Sequence, residues 1–385
     1  MKIVIALDSF KGSLTFREAD EAAAAGARRA APEAEILLCP VADGGEGTAD
    51  ALGGTPIGVT VSDPLGRPIR AQYRILEEDG ARRAVIEMAA AAGLPLLRHE
   101  EYDPRRAATF GVGELILDAL SRGCRRFTIG IGGSATNDGG AGMLSALGFR
   151  LLDAAGAPIP PGADGLALLS RIEDVGVPAA VRASSFTVAC DVTNPLLGPT
   201  GCSAVYGPQK GASPRDVAAM EAAMTHYAAV VRAWNPSADD KLPGSGAAGG
   251  MGFALRTFLG ASLRPGAEAV LEAAHLEEML RGADLVLCGE GQIDAQTAMG
   301  KAPLAVARLA RRAGAAVVAL GGAVRPDAAA CHGAFDAIFP ILRAPCPLEE
   351  AMSPGCAREN LAAAAESVVR LFRRARERTE GERDK

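Results

Sequence analysis

Residues 1–40, MKIVIALDSFKGSLTFREADEAAAAGARRAAPEAEILLCP, decide the fold. An apolar run, Lys2 to Leu7, reads as a buried strand. It is followed by a helix from about Thr15 to Ala31 and a second strand from Glu35 to Pro40. Thr15 and Glu18 have capping-box spacing, which fixes where the helix starts. The same alternation returns near the other end of the chain. Strands are expected at Ala283–Cys288, Ala315–Gly321 and Asp336–Ile341, with helices near Lys301–Ala313, Asp327–Gly333 and Cys356–Arg374. Five short apolar strands alternating with helices predict a parallel sheet covered on both faces. The expected strand order is flavodoxin-like, with ligand loops at the carboxyl ends of the strands.

The middle of the chain has a different grammar. Ile57–Val61, Ile69–Ile75 and Ala84–Met88 alternate apolar and polar residues and are separated by Asp63-Pro64-Leu65-Gly66 and Glu78-Asp79-Gly80. That pattern predicts an antiparallel meander. Helices are expected at Gly111–Arg122, Pro214–Trp234 and Gly250–Leu259, with strands at Phe127–Ile131 and Phe186–Cys190. The reading is a discontinuous flavodoxin-like α/β domain, residues 1–56 and 263–385, carrying an inserted α/β domain at 57–262 with the glycine-rich loops. An insertion leaving through a surface loop is topologically permitted.

Composition narrows the function classes. With 49% hydrophobic and 22% charged residues, the 385-residue chain is an ordinary globular protein, long enough for two domains. A net charge of −6 with scattered Lys and Arg excludes the basic stripe of a nucleic-acid binder. No apolar run approaches a membrane span, and the apolar N-terminus meets Asp8 too early for a signal peptide. The eight cysteines show no CxxC pair and read as buried free thiols of a cytoplasmic protein. A homodimer is compatible with the sequence but not indicated by it.

Three loops combine paired glycines with carboxylates after apolar runs: VADGGEGTAD at 41–50, GGSATNDGG at 132–140 and CGEGQIDAQT at 288–297. Such loops offer backbone N–H groups to phosphate oxygens. No Walker A, dinucleotide fingerprint or kinase HRD motif is present, and His99, His226, His275 and His332 lie outside all three loops. Carboxylates, lysines and glycine loops suit phosphoryl transfer, which needs positioning and charge neutralisation more than covalent chemistry. Magnesium would sit on one or two carboxylates and the nucleotide phosphates. Asp191, at the end of strand Phe186–Cys190, is the candidate base, and Lys11, Lys210 and Lys301 are candidate anion contacts.

Local alternatives stay open at several positions. Asp8 and Ser9 could be a turn and helix cap, and Asp43 and Glu46 could simply favour a helix N-terminus. Lys210 could be an ordinary loop lysine, and Asn137-Asp138-Gly139-Gly140 an Asx-turn.

Taken together, the segments resemble the glycerate kinase type-1 family, the bacterial glycerate 2-kinases. The motifs run in order along nearly the whole chain: ALDSFKGSLT (6–15), PVADGGEGT (40–48), GGSATNDGGAGM (132–143) and CDVTNPLLGPTG (190–201). They continue through YGPQKGAS (206–213), PGSGAAGGMGFAL (243–255), FLGASLRPG (258–266) and GEGQIDAQTAMGKAP (289–303). The resemblance implies transfer of the γ-phosphoryl group of ATP to D-glycerate with Mg²⁺, typically at the C2 hydroxyl to give 2-phosphoglycerate. It also leaves open 3-phosphoglycerate, or another small hydroxy acid as acceptor. A binding protein descended from a kinase and a nicotinamide dehydrogenase are the rivals from other classes.

Carried over, the resemblance places the site at Asp8, Lys11, Asp43, Glu46, Ser134, Asn137, Asp138, Asp191, Lys210, Glu290 and Asp294, and chemistry assigns the roles: Asp191, Lys11 and Asp294 are expected to be catalytic. Substrate and phosphate contacts would come from Asp8, Ser9, Asp43, Gly44, Glu46, Gly132, Gly133, Ser134, Asn137, Lys210, Gly289, Glu290, Gly291 and Lys301. Magnesium, held through the ATP phosphates, would engage Asp191 and Asp138. The family commonly has arginine where this chain has Gln292, so a planar cation is missing there unless Arg325 supplies one. Ser245 also stands where alanine is usual. Phosphoryl transfer further predicts an interdomain cleft that closes to exclude water.

Overall fold

A computed structural model describes residues 1–42, 48–78, 80–295, 297 and 301–383. The chain divides into two compact units, Met1–Asp43 with Val270–Lys385, and Gly44–Ala269. In chain order the first unit contributes β1 (Lys2–Leu7) and β2 (Glu35–Leu38). The second contributes β3 (Thr55–Ser62), β4 (Pro68–Glu78), β5 (Ala81–Glu87), β6 (Arg126–Gly130), β7 (Arg150–Leu152), β8 (Arg171–Glu173), β9 (Ser185–Ala189) and β10 (Ser262–Arg264). The first unit then resumes with β11 (Leu285–Ile293), β12 (Ala316–Val324) and β13 (Ala337–Pro340).

In the first unit the described strands form a parallel sheet of order β13-β12-β11-β1-β2. Renumbered within the unit, this is 2-1-3-4-5, the flavodoxin-like order, with its switch point between β1 and β11. Ile3, Ile5, Leu7, Leu285 and Leu287 are fully buried, as strands covered on both faces require. Helix Phe16–Ala30 starts at Thr15, whose hydroxyl accepts from the Glu18 amide while Glu18 accepts from the Thr15 amide. Its alanine face packs on helix Pro354–Arg383. At Gly26 a Cβ would stand 1.9 Å from the Ala362 carbonyl oxygen, so only glycine permits this approach. The expected helix at Asp327–Gly333 is instead a 3-10 helix, Pro326–Cys331. Its turns close with i to i+3 bonds, the Ala328 amide donating to the Arg325 carbonyl and the His332 amide to the Ala329 carbonyl.

The second unit has the sheet order β10-β9-β6-β5-β4-β3. The β3-β4-β5 meander is antiparallel as expected, and β5, β6, β9 and β10 run parallel. Because β3 begins at Thr55 and β10 extends to Arg264, this sheet overruns the expected 57–262 at both ends. Helix Pro214–Trp234 has the expected bounds, with Ser213 and Asp216 closing a capping box. The β7–β8 hairpin was not foreseen; strands of three residues carry no readable periodicity. Among the described residues no helix is long and apolar enough to cross a membrane. All eight cysteines are free, five of them buried.

Candidate active site

The glycine loop Gly132–Gly140 leaves the carboxyl end of β6, and Asp191 leaves the carboxyl end of β9. Gly130 and Ala189 are register partners in these adjacent parallel strands. Gly132 and Asp191 therefore each stand two residues beyond the same paired rung. Parallel pairing about 4.8 Å apart at that rung brings the two segments out at the same end of the sheet. Gly132, Gly133 and Asp191 are exposed, while Ser134 through Gly140 are buried. Gly133 has φ 72°, a left-handed conformation that glycine adopts without strain. The Asp191 Oδ1 accepts from the Gly266 amide at 2.7 Å, at the start of helix Gly266–Ala273.

Beneath the exposed glycines the loop is held from several sides. Lys210 Nζ donates to Ser134 Oγ and to the Thr136 carbonyl, each at 2.7 Å. Asn137 Nδ2 donates to Ser203 Oγ at 3.0 Å. Tyr227 donates to the Gly139 carbonyl at 3.0 Å. The Gly139 amide donates to the Gly249 carbonyl at 2.9 Å, inside a left-handed stretch formed by Ala248, Gly249 and Gly250. A Cβ at Gly249 would lie 2.1 Å from the Thr136 carbonyl oxygen, so PGSGAAGG and GGSATNDGG meet backbone to backbone. This is why the expected helix at Gly250–Leu259, found as Ala247–Leu259, has a non-helical start.

Two expectations change here. Asp138 was expected to hold magnesium, yet it is fully buried and its oxygens already accept hydrogen bonds from the protein. Oδ2 takes the Thr109 amide, the Thr109 hydroxyl and the Gly142 amide, and Oδ1 takes the Gly140 amide. Burial raises its pKa, and these hydrogen bonds oppose that shift. Asp138 is an internal tie, and the Asx-turn alternative describes its Gly140 contact. Lys210 was expected to reach phosphate, yet only 2% of it is exposed and its amine points into the loop's own atoms. Burial lowers its pKa to about 8.

In the first unit, the expected residues gather at the switch point. The Asp8 amide donates to the Gly289 carbonyl at 2.9 Å, continuing the β1–β11 pairing. Asp8 Oδ1 accepts from the Ser9 amide. At Gly289 a Cβ would lie 1.9 Å from the Leu320 carbonyl oxygen, and at Gly291 it would lie 3.3 Å from the Lys11 amide nitrogen. Both glycines thus let backbones close on each other. Glu290 Oε1 accepts from the Thr297 hydroxyl at 2.7 Å, and its Oε2 pairs with Lys301 at 3.2 Å. Lys301 also lies 3.8 Å from Asp294. Gln292 donates to Asp294 Oδ2 at 2.8 Å, and the Arg325 amide binds the neighbouring Ile293 carbonyl. Asp43, Gly44 and Glu46 lie outside the described residues.

Sequence reasoning missed Thr109, Ser203 and Tyr227, whose side chains shape the loop. Thr109, directly before an apolar helix, reads as an N-cap. Its hydroxyl instead joins Asp138 to the Met143 amide. Ser245, the other departure, is buried and accepts from Arg256 at 3.2 Å.

A flavodoxin-like sheet and an inserted α/β sheet, each with glycine loops and carboxylates at carboxyl strand ends, define a two-sheet α/β protein. The comparisons are specific. The chain belongs to the glycerate kinase family, whose sequence profile matches residues 3–373. It is 46% identical to the glycerate kinase of Bacillus subtilis (strain 168), covering 91% of this chain and 93% of that one. It is 43% identical to the glycerate 2-kinase of Escherichia coli (strain K12), over 96% and 97%. A crystal structure from Salmonella typhimurium LT2, named for glycerate kinase 2, superposes with a TM-score of 0.87 at 44% identity, covering 98% and 99%.

Proposed function

We propose that this protein is a cytoplasmic kinase that transfers the γ-phosphoryl group of ATP to the C2 hydroxyl of D-glycerate, giving 2-phosphoglycerate and ADP. The observation that carries the C2 assignment is 43% identity along 97% of the Escherichia coli glycerate 2-kinase. What supports the reaction class is that Asp191 and the exposed glycines Gly132 and Gly133 follow paired strands at the same end of the sheet.

In this reading the C2 oxygen attacks the γ-phosphorus, the bond to the β–γ bridging oxygen breaks, and ADP leaves. Asp191 takes the hydroxyl proton, and Gly132 and Gly133 offer N–H groups to the equatorial phosphoryl oxygens. In the first unit, Lys11 and Lys301 are assigned to anionic ligand groups; Glu290 and Asp294 hold the Lys301 amine in place. Magnesium supplies charge neutralisation on ATP when bound. It needs at most one or two carboxylates besides phosphate oxygens and water, and the exposed Asp191 fits that need where Asp138 does not.

The test is to incubate the purified protein with D-glycerate, ATP and Mg²⁺ and identify the product by ³¹P and ¹³C NMR. 2-Phosphoglycerate is expected. 3-Phosphoglycerate would overturn the regiochemistry, and unchanged glycerate would overturn the substrate.

A further inference from the structure

The Lys210 ammonium is an anomaly on stability grounds alone. Among the described residues it makes no ion pair, and it donates to two neutral oxygens, those of the Ser134 hydroxyl and the Thr136 carbonyl. Burying an ammonium with no carboxylate in contact is costly, and an apolar side chain would fill the same space more cheaply. Around it, the Asn137 Oδ1 and the Thr136 hydroxyl are buried without a hydrogen-bond partner. The segment 202–210 thus reaches under residues 134–137 with one cation and one hydroxyl, Ser203, and leaves the local polar groups incompletely satisfied. Such a sealed, partly satisfied network has a strong preference for one arrangement of its charge.

We propose that Lys210 is the positioning residue of the glycine loop: by fixing Ser134 and Thr136 from below it aims the exposed Gly132 and Gly133 at the transferring phosphoryl group, and it never touches the ligand itself. This rests on the reading of the protein as a kinase. The titratable groups facing Lys210 are the Asp138 carboxyl and the Cys202 thiol. Tyr227, packed on the same loop, is kept protonated by burial. Cys202 is pushed up to about 11 by burial. With its own value lowered to about 8, Lys210 is charged at neutral pH and is the member of this group that discharges just above it.

The experiment compares wild type with Lys210→Met and Ser134→Ala by two readouts. In amide hydrogen exchange at neutral pH, residues 132–140 should exchange roughly tenfold faster in Lys210→Met, while β1 and β11 are unchanged. In kcat measured from about pH 6 to about pH 10, wild type should decline above about 8, and Lys210→Met should be roughly tenfold to hundredfold lower and flat. Ser134→Ala removes one acceptor of the charged amine, so its decline should move to lower pH. Unchanged exchange in a folded Lys210→Met overturns the proposal. So does an alkaline decline that stays put in Ser134→Ala, and this arm decides if Lys210→Met does not fold. Absence of glycerate turnover in wild type would overturn the kinase reading alone, because the exchange comparison still decides what Lys210 holds.

Discussion

Thr109 meets Asp138 twice: its backbone amide and its hydroxyl both donate to Oδ2, each at 2.8 Å. The same hydroxyl accepts from the Met143 amide at 2.9 Å, so one oxygen joins the start of helix Phe110–Ser121 to the glycine loop and the helix after it. Thr109→Val keeps the shape, removes both hydroxyl bonds and leaves the buried Met143 amide unpaired. The expected cost is about 1–3 kcal/mol. Trp234 is the single tryptophan and stacks on Phe258 in the same unit, so urea unfolding followed by its fluorescence reads this directly. A wild-type midpoint in the variant would show that the Thr109 hydroxyl carries no weight.

Asp191 has one carboxylate and two assigned duties, proton acceptor and magnesium contact. Asp191→Asn should lower kcat roughly 10²-fold or more if it is the base. The Mg²⁺ concentration for half-maximal rate separates the duties: it stays constant for a base and rises for a ligand. Near-normal kcat in the folded variant would remove Asp191 from the chemistry.

Gln292, exposed near the end of β11, donates to Asp294. Gln292→Arg restores a planar cation that can both pair with Asp294 and meet a ligand anion. An exposed charged contact is worth about 0.2–1 kcal/mol, so the KM for ATP or glycerate should fall by roughly 1.5- to 5-fold. If steady-state kinetics move neither KM, the position is peripheral.

Asp20 lies on helix Phe16–Ala30, against the end of β1. It is 3% exposed, and its Oδ1 accepts from the Leu7 amide at 2.9 Å, beyond the last rung of the β1–β2 pairing at Ile5 and Leu38. Burial raises its pKa well above the ordinary aspartate value. Between that ordinary value and the raised one, the folded state holds more protons than the unfolded state. Stability is therefore fully present at low pH and is lost as pH rises through the folded value. Asp20→Asn keeps the acceptor and removes the titration. It should melt higher than wild type near neutral pH, with the gap closing towards about pH 4. Equal melting temperatures near neutrality would contradict this.

What the sequence made legible was whatever repeats at short range. The five apolar runs of the first sheet, the capping boxes at Thr15 and Ser213, and the turn residues of the β3-β4-β5 meander each declare themselves within a few residues. The glycine loop was equally visible, as a stretch with a purpose. Its internal accounting was not. Asp138 looks like a metal ligand until Thr109, 29 residues earlier, arrives with two donors. Lys210 looks like a phosphate contact until Ser134, 76 residues earlier, is found to cover its amine. Local pattern gives the type of side chain at a loop, and only packing decides which of its lone pairs and protons are already spent.

The pairing of Ile3 with Leu285 also has a consequence for how the chain is made. On a ribosome β1 emerges well before its neighbour β11, which follows only after the whole contiguous stretch Gly44–Ala269 has been synthesised. At about 5–20 residues per second, β1 waits on the order of 15–60 s for this partner. The inserted unit has all its strands in hand by then. β1 thus gains β2 and the helix Phe16–Ala30 early, and its other sheet neighbour only after the inserted unit is complete.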